Sequence, residues 1–339
     1  MNTLPDFIDS LGLAGPWTYA GLFVAVSLLM TWRLEAMLDQ GLEGTALGTL
    51  VMPYCSGLGN LLFGFIVARR GGSSGDVLTN CLVNNFTNLT LILGLPALVW
   101  GLNLAPGQPA PSGRAKKPKK NPKAETARRL NRLSLLLTLA AGLFFCGMTW
   151  ALGRDGRLDL GDGLALTGLF LFWQCFQVFD VLKHNVTHRK SFGPLFWFDA
   201  LVVLAAAGVM YVSIDWLVAW LSGLHGGFFS AQNLGWLSGW LMVLPNALFA
   251  VFYGIKRRAD IVYASQIGDG HICIPLCLGL AALLQPVAVT PVFVTGLAVL
   301  TGAALLHLVF VAATGGLPRW LGGALVATYG WFLYAGLLK

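Results

Sequence analysis

Two asparagines stand in matching apolar frames. Around Asn60 the chain reads Leu58-Gly59-Asn60-Leu61-Leu62-Phe63, and around Asn246 it reads Leu244-Pro245-Asn246-Ala247-Leu248-Phe249. A second matching block follows each. Leu91-Ile92-Leu93-Gly94-Leu95-Pro96-Ala97-Leu98 pairs with Leu276-Cys277-Leu278-Gly279-Leu280-Ala281-Ala282-Leu283, identical at six of eight positions. The asparagines are 186 residues apart and the blocks 185. Two motifs at one near-constant offset point to two copies of one unit, and the place where the copies meet is where a site is expected. An amide side chain offers a neutral oxygen to a cation, and both donor and acceptor to a polar solute.

Further polar residues crowd the same regions. Ser56 precedes Asn60, with Gly57 and Gly59 between them. Asn80, Asn84, Asn85, Thr87 and Asn88 follow in one stretch, and Ser265, Gln266, Asp269 and His271 in its counterpart, with Gly268 and Gly270 interleaved. In an apolar chain such residues either form a site or bind helices to one another. Asp269 is the acidic residue of these segments expected deepest in the chain. A buried carboxylate can exchange a proton for a bound cation. His271 titrates near neutrality and is a candidate for a coupling proton; the alternative is a core histidine bonded to a carbonyl. Residues two apart do not face each other on a regular helix, although a backbone broken near Gly268 and Gly270 changes that. His271, Cys273 and Cys277 form a loose soft-metal pattern, equally readable as packing, and no metal site is firmly assigned. Gln174, Gln177 and Asp180, at three-residue spacing, either line a pathway or bond neighbouring helices.

The elements that must hold these residues are membrane helices. The chain is 56% hydrophobic and 11% charged, with mean hydropathy +0.70, about half the charge of a soluble protein. Only three glutamates occur, Glu35, Glu43 and Glu125. Apolar stretches at 16–32, 44–68, 78–101, 133–152, 162–182, 196–221, 233–255, 259–285, 290–314 and 318–338 each approach the roughly 20 residues that span a bilayer. Ten helices in two copies give five per copy, an odd number, so the second copy must be inserted upside down relative to the first. The expected division is 1–101 (helices 1–3), a linker 102–132, 133–190 (helices 4–5) and 191–339 (helices 6–10). The linker carries nine Lys and Arg, among them Arg114, Lys116, Lys117, Arg128 and Arg132, with five prolines, and reads as a disordered cytoplasmic loop. Lys183, Arg189, Lys190, Lys256, Arg257, Arg258 and Arg319 fall on the same side, which puts both termini outside; Arg69 and Arg70 count against this but are outnumbered. The six cysteines lie in apolar stretches and read as packing residues. No basic region precedes the first apolar run, so a cleaved leader is not expected. No nucleotide-binding loop and no nucleophile–base constellation is visible, which argues against an enzyme. The net charge of +7 comes largely from the linker, a topology signal rather than a nucleic-acid surface.

At the level of motifs the chain resembles the calcium/cation antiporter superfamily, which has the sodium/calcium exchanger fold. The family's repeat runs Gly-Thr-Ser-x-Pro-Glu, then a basic turn, then Gly-Asn-x-x-Gly-Ser-Asn-x-x-Asn. The first copy here reads Cys55-Ser56-Gly57-Leu58-Gly59-Asn60, with Thr79-Asn80-Cys81-Leu82-Val83-Asn84-Asn85-Phe86-Thr87-Asn88 as its partner. The second reads Leu241-Met242-Val243-Leu244-Pro245-Asn246, followed by Ala264-Ser265-Gln266-Ile267-Gly268-Asp269-Gly270-His271-Ile272-Cys273. The resemblance implies an all-α membrane protein of ten transmembrane helices in two inverted five-helix repeats, working as an alternating-access antiporter. It implies that Ser56, Asn60, Asn84, Asn85, Asn246 and Asp269 bind the ion or substrate, and that Asp269 and His271 are available for proton coupling. In the family the repeat glutamates are calcium ligands. Both positions are asparagine here, and Met242 and Val243 replace hydroxyls, so the site is poor in carboxylates. Calcium takes six to eight oxygens, several of them carboxylates, and a single carboxylate suits a proton or a monovalent cation better.

The expected function is therefore secondary active cation transport with an atypical site. Two alternatives are a transporter of a neutral or zwitterionic solute, and a non-transporting scaffold on the same fold. No cofactor is expected beyond a bound cation (Na⁺, H⁺ or Ca²⁺). The expected partners are the lipid bilayer and the small cation, with no nucleic acid and the oligomeric state open. The expected location is a bacterial inner membrane.

Overall fold

A computed structural model describes residues 12–39, 52–104, 122–185 and 193–337. The helices are α1 (Gly15–Asp39), α2 (Met52–Arg69), α3 (Ser74–Thr87), α4 (Leu93–Trp100), α5 (Pro122–Leu152), α6 (Leu160–Asn185), α7 (Pro194–Ser222), α8 (Leu234–Ile255), α9 (Ala259–His271), α10 (Leu278–Leu284), α11 (Val292–Thr314) and α12 (Arg319–Leu337). Two π turns, Asn88–Ile92 and Ile272–Cys277, join α3 to α4 and α9 to α10. Among the described residues, eight helical stretches are long and apolar enough to cross a membrane: Gly15–Leu34, Ser74–Trp100, Arg132–Asp155, Leu160–Phe179, Pro194–Ser222, Ala231–Ile255, Ala259–Leu284 and Val292–Thr314. The apolar part of α2, Gly57–Arg69, is shorter, and α12 is not among the eight. The chain is thus an all-α integral membrane protein, and among the described residues eight helices satisfy both length and hydropathy.

The linker is shorter than its composition suggests. Leu102–Asn103 form a strand, β1, and helix begins again at Pro122. Lys123-Ala124-Glu125-Thr126-Ala127-Arg128-Arg129-Leu130 is rich in strong helix formers, and proline is well placed at the first helical position. The remainder of the linker, 105–121, lies outside the described residues.

Helix packing is reciprocal between the two halves. Helix α1 packs on α7, α3 on α8, α4 on α12, α5 on α11, and α6 on α10. Two short antiparallel ladders cross between the halves as well. Strand β1 pairs with β4 (Gly316–Leu317), and β2 (Arg157–Leu158) pairs with β3 (Val287–Ala288). Gly94 of α4 meets Gly322 of α12, where a Cβ on Gly322 would lie 2.6 Å from the Gly94 carbonyl oxygen. Gly279 of α10 meets Gly163 of α6, where a Cβ on Gly163 would lie 2.9 Å from the Gly279 carbonyl oxygen. Gly94 and Gly279 are 185 residues apart, as the sequence blocks are, whereas Gly163 and Gly322 are 159 apart. The 26-residue difference falls between α4 and the glycine of α6, the interval that holds the linker. Glycine at these crossings lets two backbones touch, which is how helices associate where lipid removes the hydrophobic drive.

Burial follows the same plan. The stretches Ser74–Trp100 and Ala259–Leu284 are each 78% buried over their most apolar window, while Arg132–Asp155, Leu160–Phe179 and Pro194–Ser222 are 28–33% buried. The two π-turn elements therefore form the centre, and the three least buried stretches lie outside them. Helix α7 is tied at two points: Arg33 of α1 reaches Asp199 at 3.3 Å, and Arg69 and Arg70 reach Asp215 at 2.9 and 2.8 Å.

The backbone contact at Gly163 leaves no flexible atom to yield. Gly163→Leu is expected to lower stability by about 1–3 kcal/mol, the usual cost of overpacking. Gly208→Leu, on a face of α7 with nothing within 4 Å, is expected to leave the melting temperature unchanged or raised. Thermal melting of the two purified variants in detergent checks both.

Candidate functional site

Asparagines at every fourth position give α3 and its π turn one polar stripe, Asn80, Asn84 and Asn88, each fully buried. The stripe faces α8 and α9. Asn80 Nδ2 donates to Ser238 Oγ of α8 at 3.0 Å. Asn88 Nδ2 donates to Asn84 Oδ1 at 3.1 Å and to Asp269 Oδ2 of α9 at 2.9 Å. From α8, Asn246 Nδ2 donates to the same Asp269 oxygen at 3.3 Å. Two amides on separate helices therefore converge on one carboxylate that is 0% exposed. Gln266, one turn before Asp269, donates from Nε2 to the Asn246 carbonyl at 3.3 Å and to Ser265 Oγ at 3.0 Å.

Local sequence makes this approach possible. Pro245 inside α8 donates no backbone N–H, so the helix turn before Asn246 is loosened. Gly235 and Gly239 of α8 sit against α3, where a Cβ would lie 2.8 Å from the Asp76 carbonyl oxygen and 2.9 Å from Val83 Cβ, respectively. Hydroxyls on α3 and its π turn bond back to their own helix: Thr87 Oγ1 to the Val83 carbonyl and Thr90 Oγ1 to the Phe86 carbonyl, both at 2.6 Å.

Several buried atoms of the cluster have no hydrogen-bond partner within the chain: both amide atoms of Asn60, Oδ1 of Asn80 and of Asn88, Nδ2 of Asn84, and Oε1 of Gln266. Each such atom costs about 1–3 kcal/mol. Four of these atoms are neutral amide oxygens, a donor type that hard cations accept. Asn60 lies next to the second π turn, its carbonyl accepting from Cys277 Sγ at 3.3 Å.

Of the expected site residues, Asn246 and Asp269 are hydrogen-bonded to each other, and Asn84 is linked to Asp269 through Asn88. Asn60 is buried with its amide unsatisfied, and the Ser56 side chain lies outside the described residues. Asn85 turns back on its own helix, Nδ2 to the Cys81 carbonyl at 2.7 Å. Its Oδ1 lies against Gly270, where a Cβ would come within 2.9 Å. His271 points elsewhere: Nε2 is 2.8 Å from the Thr138 carbonyl of α5, and its ring stands edge-on to Phe145 and Trp173, with centroids 5.1 and 5.3 Å away. The reason is helical geometry, since two residues turn the direction by about 200° and Asp269 and His271 face opposite ways. Cys273 and Cys277 are buried. Among the described residues no group of three His, Cys, Asp or Glu could hold a metal ion. Gln177 is buried, Gln174 is half-buried, and the Asp180 side chain lies outside the described residues. Asn88 and Gln266 were among the polar candidates of the sequence but not among the expected ion ligands; Asn88 falls on the last Asn of the family motif, which was the signal for it.

A family model for sodium/calcium exchanger protein matches residues 17–179, just under half of the chain. No curated protein matches. Solved structures of the sodium-calcium exchanger NCX_Mj match over nearly the full length. The form soaked with Na⁺ and Sr²⁺ is 17% identical, with TM-score 0.65, covering 96% of this chain and 98% of that one. The form soaked with Na⁺ and no Ca²⁺ gives the same values. The form without Na⁺ and Ca²⁺ is 17% identical at TM-score 0.63, covering 95% and 98%. The chain therefore has the fold of a sodium/calcium exchanger along almost its whole length, and its first half carries the sequence pattern of the sodium/calcium exchanger protein family.

Proposed function

We propose that the protein is a secondary active cation transporter of the antiporter type, working by alternating access, with a carboxylate-poor ion site. The observation that carries this reading is Asp269, a fully buried carboxylate held by Asn88 of one half and Asn246 of the other. Asn88, which bonds Asp269, and Gln266, which bonds the Asn246 carbonyl, each keep an amide oxygen without a partner in the chain, as does the buried Asn60. One negative charge and several neutral oxygens balance a monovalent cation or a proton. A divalent ion would leave a positive charge uncompensated in low dielectric.

The organisation around the site is two inverted five-helix repeats. The support is the reciprocal helix pairing, the matched glycine crossings and the two π turns at corresponding places. Positive charge orients the chain with the 102–132 segment in the cytoplasm and both termini outside, in a plasma-type membrane. Asp269 carries the coupling, because it can hold a proton or a cation but not both. His271, bonded to a carbonyl of α5, is left with a packing role.

Three outcomes follow from the charge balance. Isothermal titration at neutral pH is expected to show weak calcium binding or none, and Asn60→Glu combined with Asn246→Glu is expected to raise divalent affinity by tenfold or more. Binding of calcium by the wild type at micromolar concentration overturns the charge argument. In proteoliposomes, pH-dependent flux of a monovalent cation is expected for the wild type and its loss for Asp269→Asn. Flux that keeps its pH profile in Asp269→Asn removes Asp269 from the coupling.

A further inference from the structure

The first π turn has a partner outside the ion cluster. In an α-helix the Leu93 N–H would bond to the Leu89 carbonyl. Here it goes instead to the carbonyls of Asn88 and Thr90. The Leu89 carbonyl, stripped of that donor in the middle of the protein, receives His307 Nε2 of α11 at 2.7 Å. His307 is 0% exposed, and its ring stands edge-on to Tyr263 of α9, with centroids 5.9 Å apart. A carbonyl only accepts, so Nε2 carries the hydrogen and the imidazole is the Nε2–H form.

The register of this turn decides where Asn88 points. A π turn adds one residue to a helix, and one residue is about 100° of rotation. Helix α4 cannot rotate freely, because Gly94 is held backbone to backbone against Gly322. Helix α3 is held against Gly235 and Gly239 of α8. With both ends fixed, the extra residue brings the Asn80–Asn84–Asn88 stripe toward α8 and α9 and lets Asn88 reach Asp269. Were the Leu93 N–H to return to Leu89, the stripe would turn relative to α4 and Asn88 would leave the carboxylate. A donor on the Leu89 carbonyl favours the π register over the α register by removing the cost of leaving that carbonyl bare.

We propose that His307 is a positioning residue for the ion site: by capping the Leu89 carbonyl it keeps the π turn open and Asn88 on Asp269. The proposal rests on the reading of Asp269 as the ion site only for its effect on transport; its structural half stands apart from that reading.

The test has three readouts. Selective ¹⁵N labelling of histidine, with the His307 signals assigned by their loss in His307→Gln, is expected to show the Nε2–H tautomer in the wild type. The Nδ1–H tautomer overturns the proposal without any need for a variant to fold. In protein labelled at asparagine, the side-chain NH₂ cross-peak of Asn88, assigned by its loss in Asn88→Ala, is expected to shift in His307→Leu and to hold its place in His307→Gln, which keeps a donor. A cross-peak unmoved in folded His307→Leu, or displaced equally in both variants, contradicts the proposal. In proteoliposomes, His307→Leu is expected to raise the apparent KM for the monovalent cation on the order of tenfold, as for one lost site hydrogen bond, with maximal rate little changed and His307→Gln restoring the wild-type value. A fall in maximal rate at unchanged KM overturns the positioning role. Absence of wild-type flux tells against the transport reading alone, while the two spectroscopic outcomes still decide the role of His307.

Discussion

A single carboxylate buried among amides in the middle of a membrane protein is the constraint around which this structure is arranged. Asp269 Oδ2 accepts from Asn88 and Asn246, donors that come from different helices and from different halves of the chain. Burying a lone charge is expensive unless it is bonded, and neutral donors repay only part of that cost. The fold meets it by bringing three helices into close contact, which in turn needs glycine where backbones cross and breaks in helical register where side chains must be aimed. The exposed outer helices surround this centre, and the ion pairs of α7 are peripheral to it, since partly exposed pairs contribute about 0–1 kcal/mol each.

The two π turns divide the labour between the ends of each central helix. On one side of each turn, a glycine pair fixes the helix against the last helix of the other half. On the other side, the helix presents its polar residues to the site. The second turn reaches the same end with Pro275 inside it, and the Leu278 N–H bonds to the carbonyls of Cys273 and Pro275 rather than to that of Ile274. Buried histidines stand at both turns, His307 on the Leu89 carbonyl and His271 on the Thr138 carbonyl. Each stitches a central element to a neighbouring helix, a use of imidazole as a hydrogen-bond donor rather than as a proton carrier.

Much of this was legible in the chain. The matched frames of Asn60 and Asn246 located the centre, and the interleaved glycines and prolines marked helices that had to break. Asp269 stood out because acidic residues are scarce and this one lies inside a matched apolar block. What escaped has physical causes. A π turn leaves no composition signal, since it is set by tertiary contacts such as the one between His307 and Leu89, 218 positions apart. Asn88 was one of several asparagines, and its distinction is the turn that aims it. His271 looked like a neighbour of Asp269 by number, but a helix sends those side chains to opposite sides. The basic linker read as disordered by its charge and prolines, although its last residues are good helix formers and extend α5.

The central claim is that this centre takes a monovalent rather than a divalent cation. Crystals of the purified protein soaked in parallel with Tl⁺ and with Sr²⁺, and read by anomalous diffraction, test it most directly. The account predicts a Tl⁺ peak within direct coordination distance of Asp269 and the Asn60 amide, and no Sr²⁺ peak there at matched concentration. A Sr²⁺ peak at that position without Tl⁺, or Tl⁺ bound only away from Asp269, would contradict it.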